Sequence, residues 1–193
     1  ERANPAKKRV ILFSPHPDDD VISMGGTFSK LIKQGHEVHV VYQTSGNIAV
    51  TDDEALKFAE VCNDFVGEDE SKINFQSVID FLNNKSEDQV DSLEVRKLKG
   101  LIRRRESYAA VRYIGLKDEN THFLDMPFYE TGQVKKNPIG EADIELVADI
   151  IAKIKPHQVF AAGDLADPHG THEVCLNAVF AALKKLKSKP YMD

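Results

Sequence analysis

The sequence predicts an α/β fold, Rossmann-like and doubly wound, with a mainly parallel sheet flanked by helices. Three observations predict it. Short apolar runs rich in β-branched residues alternate with amphipathic stretches of helical length, the order that builds parallel sheets through helical crossovers. The first run, Val10-Ile11-Leu12-Phe13, is continuously apolar, as in a central strand covered on both faces. The loops after the first and last runs concentrate polar residues, and in open α/β sheets ligands bind where such loops leave the carboxyl ends of strands.

In chain order, the strand at 10–13 follows the basic leader Lys7-Lys8-Arg9 and ends in a polar turn from Ser14 to Asp20. From Val21, the residues Ile22, Met24, Phe28, Leu31 and Ile32 fall near helical spacing, and Gly35 supplies a stop. Gly25-Gly26 lies inside that helix, where missing side chains permit close packing on the first strand. Val38-His39-Val40-Val41-Tyr42 reads as a second strand ending at Thr44-Ser45-Gly46-Asn47.

The stretch 51–115 is charged and reads as a helical excursion, with patterns at Asp53 to Val66, Ser71 to Leu82 and Val90 to Tyr113. Its part from Thr51 to about Gly100 offers a lid or a subunit contact. Thr121 to Leu124 reads as a third strand, Ala142 to Lys155 as a helix ending before Pro156, and Gln158 to Ala162 as a fourth strand. Thr171 is placed to cap a helix through Leu186.

With 193 residues and 41% hydrophobic content, one domain with one sizeable core is expected. No initiating Met is present and the last helical pattern stops abruptly, so 1–193 reads as a C-terminally incomplete fragment of a longer chain. The formal net charge of -6 gives no reason for polyanion binding, so nucleic acid is not an expected partner. Two cysteines, Cys62 and Cys175, lie far apart and suggest neither a disulfide framework nor a thiolate metal site. A cytoplasmic setting, no membrane association and a homo-oligomer are expected.

Two loops carry metal-type ligands: Ser14-Pro15-His16-Pro17-Asp18-Asp19-Asp20 and the run from Asp164 to His172. Imidazole plus carboxylate is a normal set for catalytic zinc, which keeps three protein ligands and one open position. His16 and Asp19 reach one ion if the backbone between them turns, and His172 completes the set. Fe²⁺ fits the same nitrogen and oxygen donors. Asp18, unable to share the near face, is left free as general base, and His169 is offset to the opposite side of a substrate. The run Arg103-Arg104-Arg105 holds an anion locally or forms the solvated face of a helix. Asp125 and Glu106 serve either substrate binding or structural hydrogen bonds, and Phe128 and Tyr129 line a ligand pocket or belong to the core. His36, His39, His122 and His157 show no partner pattern and read as non-functional.

The segment Pro15-His16-Pro17-Asp18-Asp19-Asp20 with Gly25-Gly26 resembles the HPDDE…GG signature of the LmbE-like or PIG-L deacetylase superfamily. His169-Gly170-Thr171-His172 resembles its second, two-histidine box, and Arg103 to Glu106 followed by Ile114-Gly115 is similar to its RxxE helix. The run His122 to Gly132 resembles the deacetylase-like domain joined to glucosamine-6-phosphate deaminase-like domains in some bacteria. Three positions depart from the pattern: Asp20 in place of Glu, Thr171 between the two histidines, and Ser45 after the second strand.

The resemblance implies zinc held by His16, Asp19 and His172, Asp18 as general base, and His169 stabilising the oxyanion or protonating the leaving amine. Arg103, Asp125 and Asp167 are expected to bind substrate. The implied reaction is hydrolysis of an acetamide on an N-acetylglucosamine-type sugar by a metal-dependent amidohydrolase, releasing acetate and a free amine. The three departures motivate a second reading, a catalytically weak sugar-binding or regulatory module of a covalent fusion to a sugar-phosphate deaminase-like domain.

Overall fold

The computed structural model describes residues 6–66, 75–163, 166, 168 and 170–187. Four strands, β1 (Arg9–Ser14), β2 (Glu37–Tyr42), β3 (Thr121–Phe123) and β4 (Gln158–Ala161), form one sheet in the order β3-β2-β1-β4. Every pairing is parallel, with Val10 opposite Val38 and Gln158, and Val41 opposite His122. The helices are α1 (Asp19–Lys33), α2 (Asp52–Val66), α3 (Gln76–Asn84), α4 (Leu93–Tyr113), α5 (Glu141–Ile154) and α6 (Thr171–Leu186).

Parallel strands take helices on both faces, and residues two apart point the same way. Val10, Leu12, Val38, Val40 and Tyr42 therefore pack against Phe28 of α1 and Val111 of α4. Ile11, Phe13 and Val41 point oppositely, onto Val147 and Ile151 of α5 and Cys175, Ala178 and Val179 of α6. The first strand is buried on both faces, as its unbroken apolar run predicts: Val10 through Phe13 are at most 4% exposed.

A third cluster holds the helical excursion together. Ala55 and Ala59 of α2, Val78, Ile79 and Leu82 of α3, and Val95 and Ile102 of α4 are its buried members. Beside it, Lys85 and Lys99 are gripped by Asp52 and Asp91, with Lys99 Nζ 2.8 Å from Asp91 and Lys85 Nζ 2.8 Å from Asp52. Burial pushes the Asp52 carboxyl up, but the hydrogen bonds and charges of the two lysines outweigh it and hold the group below its ordinary value. Burial likewise lowers Lys85, and its two aspartate partners reverse the direction.

Several boundaries differ from the sequence reading. Helix α1 begins at Asp19 rather than Val21 and is kinked at Met24, whose φ is -147°. Its end follows expectation: Gly35, at φ 77°, donates to the Ile32 carbonyl, and His36 donates to that of Leu31, the paired bonds of a Schellman motif. Gly25 and Gly26 do not pack tightly on β1, because a Cβ at Gly26 would meet nothing within 4 Å and one at Gly25 only Val21 at 4.0 Å. Helix α4 starts at Leu93, capped by the Ser92 hydroxyl accepting from the Val95 amide. Of the helix expected over 71–82, residues 71–74 lie outside the described residues. Thr171 is the first residue of α6 rather than its cap; the cap is Gly170 at φ 67°.

Among the described residues no helix is long and apolar enough to cross a membrane. Both cysteines are free.

Candidate metal centre and cleft

The loop between β1 and α1 is pinned from several sides, which holds His16 and Asp19 together. Ser14, the last residue of β1, donates its hydroxyl to the His16 carbonyl at 2.6 Å and accepts from the Asp20 amide at 3.0 Å. Thr44, past the end of β2, bonds the Pro15 carbonyl with both its hydroxyl (2.7 Å) and its amide (3.1 Å). Ser107 of α4 donates to the Pro17 carbonyl at 2.9 Å. Gly46 sits against Pro17, so close that a Cβ there would lie 2.7 Å from the proline Cδ.

Asp20, where the family pattern has Glu, is buried and accepts a 2.9 Å hydrogen bond from the Tyr42 hydroxyl. Burial raises its carboxyl above the ordinary value, with the Tyr42 bond opposing. It faces into the protein and ties the loop to β2.

Asp19 faces the other way. Its Oδ2 accepts from the His16 amide at 2.8 Å and lies 3.3 Å from both His16 Nδ1 and His172 Nε2. The two ring nitrogens are 3.2 Å apart. Helix α6 delivers His172 in its first turn, and Gln43, at the exit of β2, donates to the Cys175 carbonyl at 3.0 Å and fixes that turn. Burial raises the Asp19 carboxyl, but its hydrogen bonds from His16 and the charges of both histidines win and hold it below the ordinary value.

These three ligand atoms form a nearly equilateral triangle, which tests whether a metal fits. Four donors at about 2.0–2.1 Å around tetrahedral zinc are separated by about 3.3 Å. The edges of 3.2, 3.3 and 3.3 Å match one face of such a tetrahedron. His16, Asp19 and His172 are the one group of described residues with metal-binding potential of this kind.

The triangle opens into a cleft of about 470 Å³ lined by His16, Asp18, Asp19, Arg103, Tyr129, Lys136 and His172, among others. Asp18 lies on its wall, its Oδ2 2.9 Å from Arg103 Nη2. Tyr129 meets the His16 ring edge-on at 5.8 Å, and burial pushes its phenol up to about 12. Ile48, in the turn after β2, and Val134 supply apolar wall.

The arginine run divides. Arg103 points into the cleft and is only 17% exposed, Arg104 pairs with Asp125 at 2.6 Å and lies over the Phe123 ring, and Arg105 lies over Tyr108. It is no uniformly solvated face. Asp125, at φ 46°, lines a separate depression with Arg96 and Arg104 and is not brought to the metal ligands. His169 and Asp167, expected at the substrate side, lie outside the described residues. Phe128 belongs to the core.

The remaining histidines have structural partners that no sequence pattern signals. His36 and His157 accept from the amides of Lys8 and Arg9, and His39 and His122 stack and share a 3.1 Å hydrogen bond across β2 and β3. Sequence reasoning also passed over Lys136 and Glu130. Glu130 accepts from Ser45 at 2.6 Å and Asn47 at 3.0 Å, holding the loop after β3 against the turn after β2.

Comparison with known proteins follows the same lines. The family model described as GlcNAc-PI de-N-acetylase, PIG-L, matches residues 11–183. A putative glucosamine-6-phosphate deaminase-like protein of Bacteroides thetaiotaomicron is 53% identical over 189 residues, covering 95% of this chain and 28% of that protein. The chain thus spans little more than a quarter of that relative. Diacetylchitobiose deacetylase of Thermococcus kodakarensis is 43% identical over 47 residues, 24% of this chain and 18% of its own. Among solved structures, the 4-carboxy-2-hydroxymuconate hydratase GalB of Pseudomonas putida KT2440 superposes with a TM-score of 0.59 at 20% identity, over 96% of this chain and 59% of that one. That likeness concerns the fold.

Proposed function

The chain belongs to the GlcNAc-PI de-N-acetylase (PIG-L) family, and from that premise we propose that it hydrolyses the N-acetyl group of an N-acetylglucosamine-type sugar. The observation that carries this reading is the triangle of ligand atoms at 3.2–3.3 Å, open on one side to a cleft of monosaccharide size. The name of the Thermococcus relative, a diacetylchitobiose deacetylase, supports N-acetylated glucosamine units as the substrate class.

His16, Asp19 and His172 hold zinc in this reading, and Fe²⁺ suits the same donors. Zinc supplies Lewis acidity towards the acetamide carbonyl. Asp18 takes a proton from the attacking water, its carboxylate aimed by the Arg103 guanidinium at 2.9 Å. The water oxygen bonds to the carbonyl carbon, the carbon–nitrogen bond breaks, and His169 delivers the proton that lets the amine leave. The products are acetate and the free amino sugar. In a longer protein like the Bacteroides relative, the freed amine is what a deaminase-like domain would consume.

The test is acetate release from N-acetylated sugars by the zinc-loaded protein, with metal content measured alongside. One zinc per chain, turnover, and a loss of at least a hundredfold in Asp18→Asn with zinc retained are expected. Sugar binding without acetate from any substrate would instead favour a non-catalytic module.

A further inference from the structure

We propose that Lys136 selects an acetamido sugar bearing an anionic substituent, a phosphate ester or a carboxylate, in the cleft that His16, Asp19 and His172 also line. The inference rests on the deacetylase reading for the sugar, while its charge argument stands on the cleft alone.

Lys136 lies on the loop joining β3 to α5, and its neighbour Lys135 is exposed. A lysine on such a loop ordinarily extends its ammonium into water. Lys136 folds back instead, placing Nζ 3.7 Å from the centroid of the Tyr129 ring and donating to the Gln133 carbonyl at 2.7 Å. Burial depresses its pKa to about 8, with the Glu130 charge opposing. Glu130 is engaged by Ser45 and Asn47. Among the described residues no carboxylate forms an ion pair with Lys136, whereas the other cation of the cleft, Arg103, is spoken for by Asp18.

The position is built by its own loop. The Asn137 amide donates to the Phe128 carbonyl at 3.0 Å, and the Thr131 hydroxyl donates to the Lys135 carbonyl at 2.9 Å, closing the loop on itself. Tyr129 lies beside both this ammonium and His16, its ring 3.7 Å from Lys136 Nζ and 5.8 Å from the His16 ring, so the ammonium lies within about 10 Å of that imidazole. A pyranose with its acetamide at the ligand atoms and a charged substituent has the reach to meet an ammonium within that range. The Tyr129 ring and the Gln133 carbonyl hold this ammonium in place, and an anion arriving in the cleft would add the ion pair that it lacks among the described residues.

Binding to the metal-free protein, measured by calorimetry, separates this inference from catalysis. The probes are N-acetylglucosamine, its 6-phosphate and N-acetylmuramic acid, the last two distinguishing phosphate from carboxylate. At least one anionic sugar is expected to bind tenfold or more tightly than the neutral one, with the gap narrowing in salt. Lys136→Met removes that preference, bringing the anionic and neutral sugars to equal affinity, and Lys136→Arg retains it. Equal affinities in the unaltered protein, no binding of any of the three, or a Lys136→Met protein that keeps the preference overturns the inference. Acetate release assayed in parallel reports on the deacetylase reading separately: charge-selective binding without acetate sinks that reading and spares this one.

Discussion

Gly46 is the point where the turn after β2 touches the loop that carries His16, and replacing it with alanine should unsettle both. Its backbone is left-handed, with φ 64° and ψ 15°, a region that costs an L-residue about 1–2 kcal/mol. The new methyl would stand 2.7 Å from Pro17 Cδ, 3.3 Å from Pro17 Cγ and 3.3 Å from Arg103 Nε. Pro17 cannot yield easily, because its carbonyl accepts from Ser107 and the preceding Pro15 carbonyl is bonded twice by Thr44. Overpacking of this kind costs about 1–3 kcal/mol. The two contributions together predict a loss of about 3 kcal/mol, or a fall of about 1–2 M in the urea midpoint. Gly26→Ala is the control: exposed within α1 and open on all sides, it should gain about 0.5–1 kcal/mol. Equilibrium urea unfolding of the metal-free proteins measures both. A Gly46→Ala midpoint equal to that of the unaltered chain would refute the reasoning, because neither the backbone strain nor the proline contact would then be real.

The other expectations concern the metal triangle and the lysine–aspartate cluster. Zinc at a hundred times its dissociation constant should stabilise the protein by about 2.7 kcal/mol, read as a rise in thermal midpoint that EDTA reverses; in His172→Ala the rise should vanish. Asp91→Asn leaves the side chains of Lys85 and Lys99, 12% and 5% exposed, short of a counter-charge, and should cost about 3 kcal/mol in urea unfolding, whereas Asp52→Asn should cost less because Asp52 is 43% exposed. The pH dependence follows from the directions of the shifts. A depressed carboxyl stabilises the fold above its unfolded pKa, so the gap between the unaltered protein and Asp52→Asn should be full at neutral pH and close as pH falls below 3.8. Lys85, raised in the fold, contributes fully below 10.5 and loses its contribution as pH rises past that value, so the gap should close again at the alkaline end. A gap that widened towards either extreme would contradict both directions.

Much of this architecture is written in local periodicity, and the parts that are not depend on distant contacts. The unbroken run at β1 and the helical spacing of α1 and α5 are local signals that tertiary structure had no reason to override. The convergence of His16, Asp19 and His172 was foreseeable because histidine and aspartate crowd two loops that follow strands. Lys136 and Tyr129 were harder to read, since the segment 127–140 has no period, and its placement against the cleft depends on Glu130 meeting Ser45 and Asn47, 85 and 83 residues away. The arginine run was ambiguous for another reason. Consecutive helical residues point about 100° apart, and α4 has no clean apolar stripe to say which of Arg103, Arg104 and Arg105 turns inward. Only the partners decide it: Asp18 for the first, Asp125 and Phe123 for the second, Tyr108 for the third.

The strand order explains why ligands so far apart in sequence meet. From β1 the chain crosses through α1 to β2 on one side, and β4 pairs on the other side of β1 with α5 and α6 on the opposite face of the sheet. Loops leaving β1 and β4 therefore exit side by side, at a position where the connections diverge and leave a crevice. That neighbourhood brings His16 and His172, 156 residues apart, to 3.2 Å. It also means that the metal triangle reports on the β1–β4 pairing. A change that weakens that pairing, far from any ligand atom, should lower zinc affinity while leaving the His16–Asp19 half of the site intact, because those two residues share one loop that Ser14 and Thr44 hold from the β1 and β2 side.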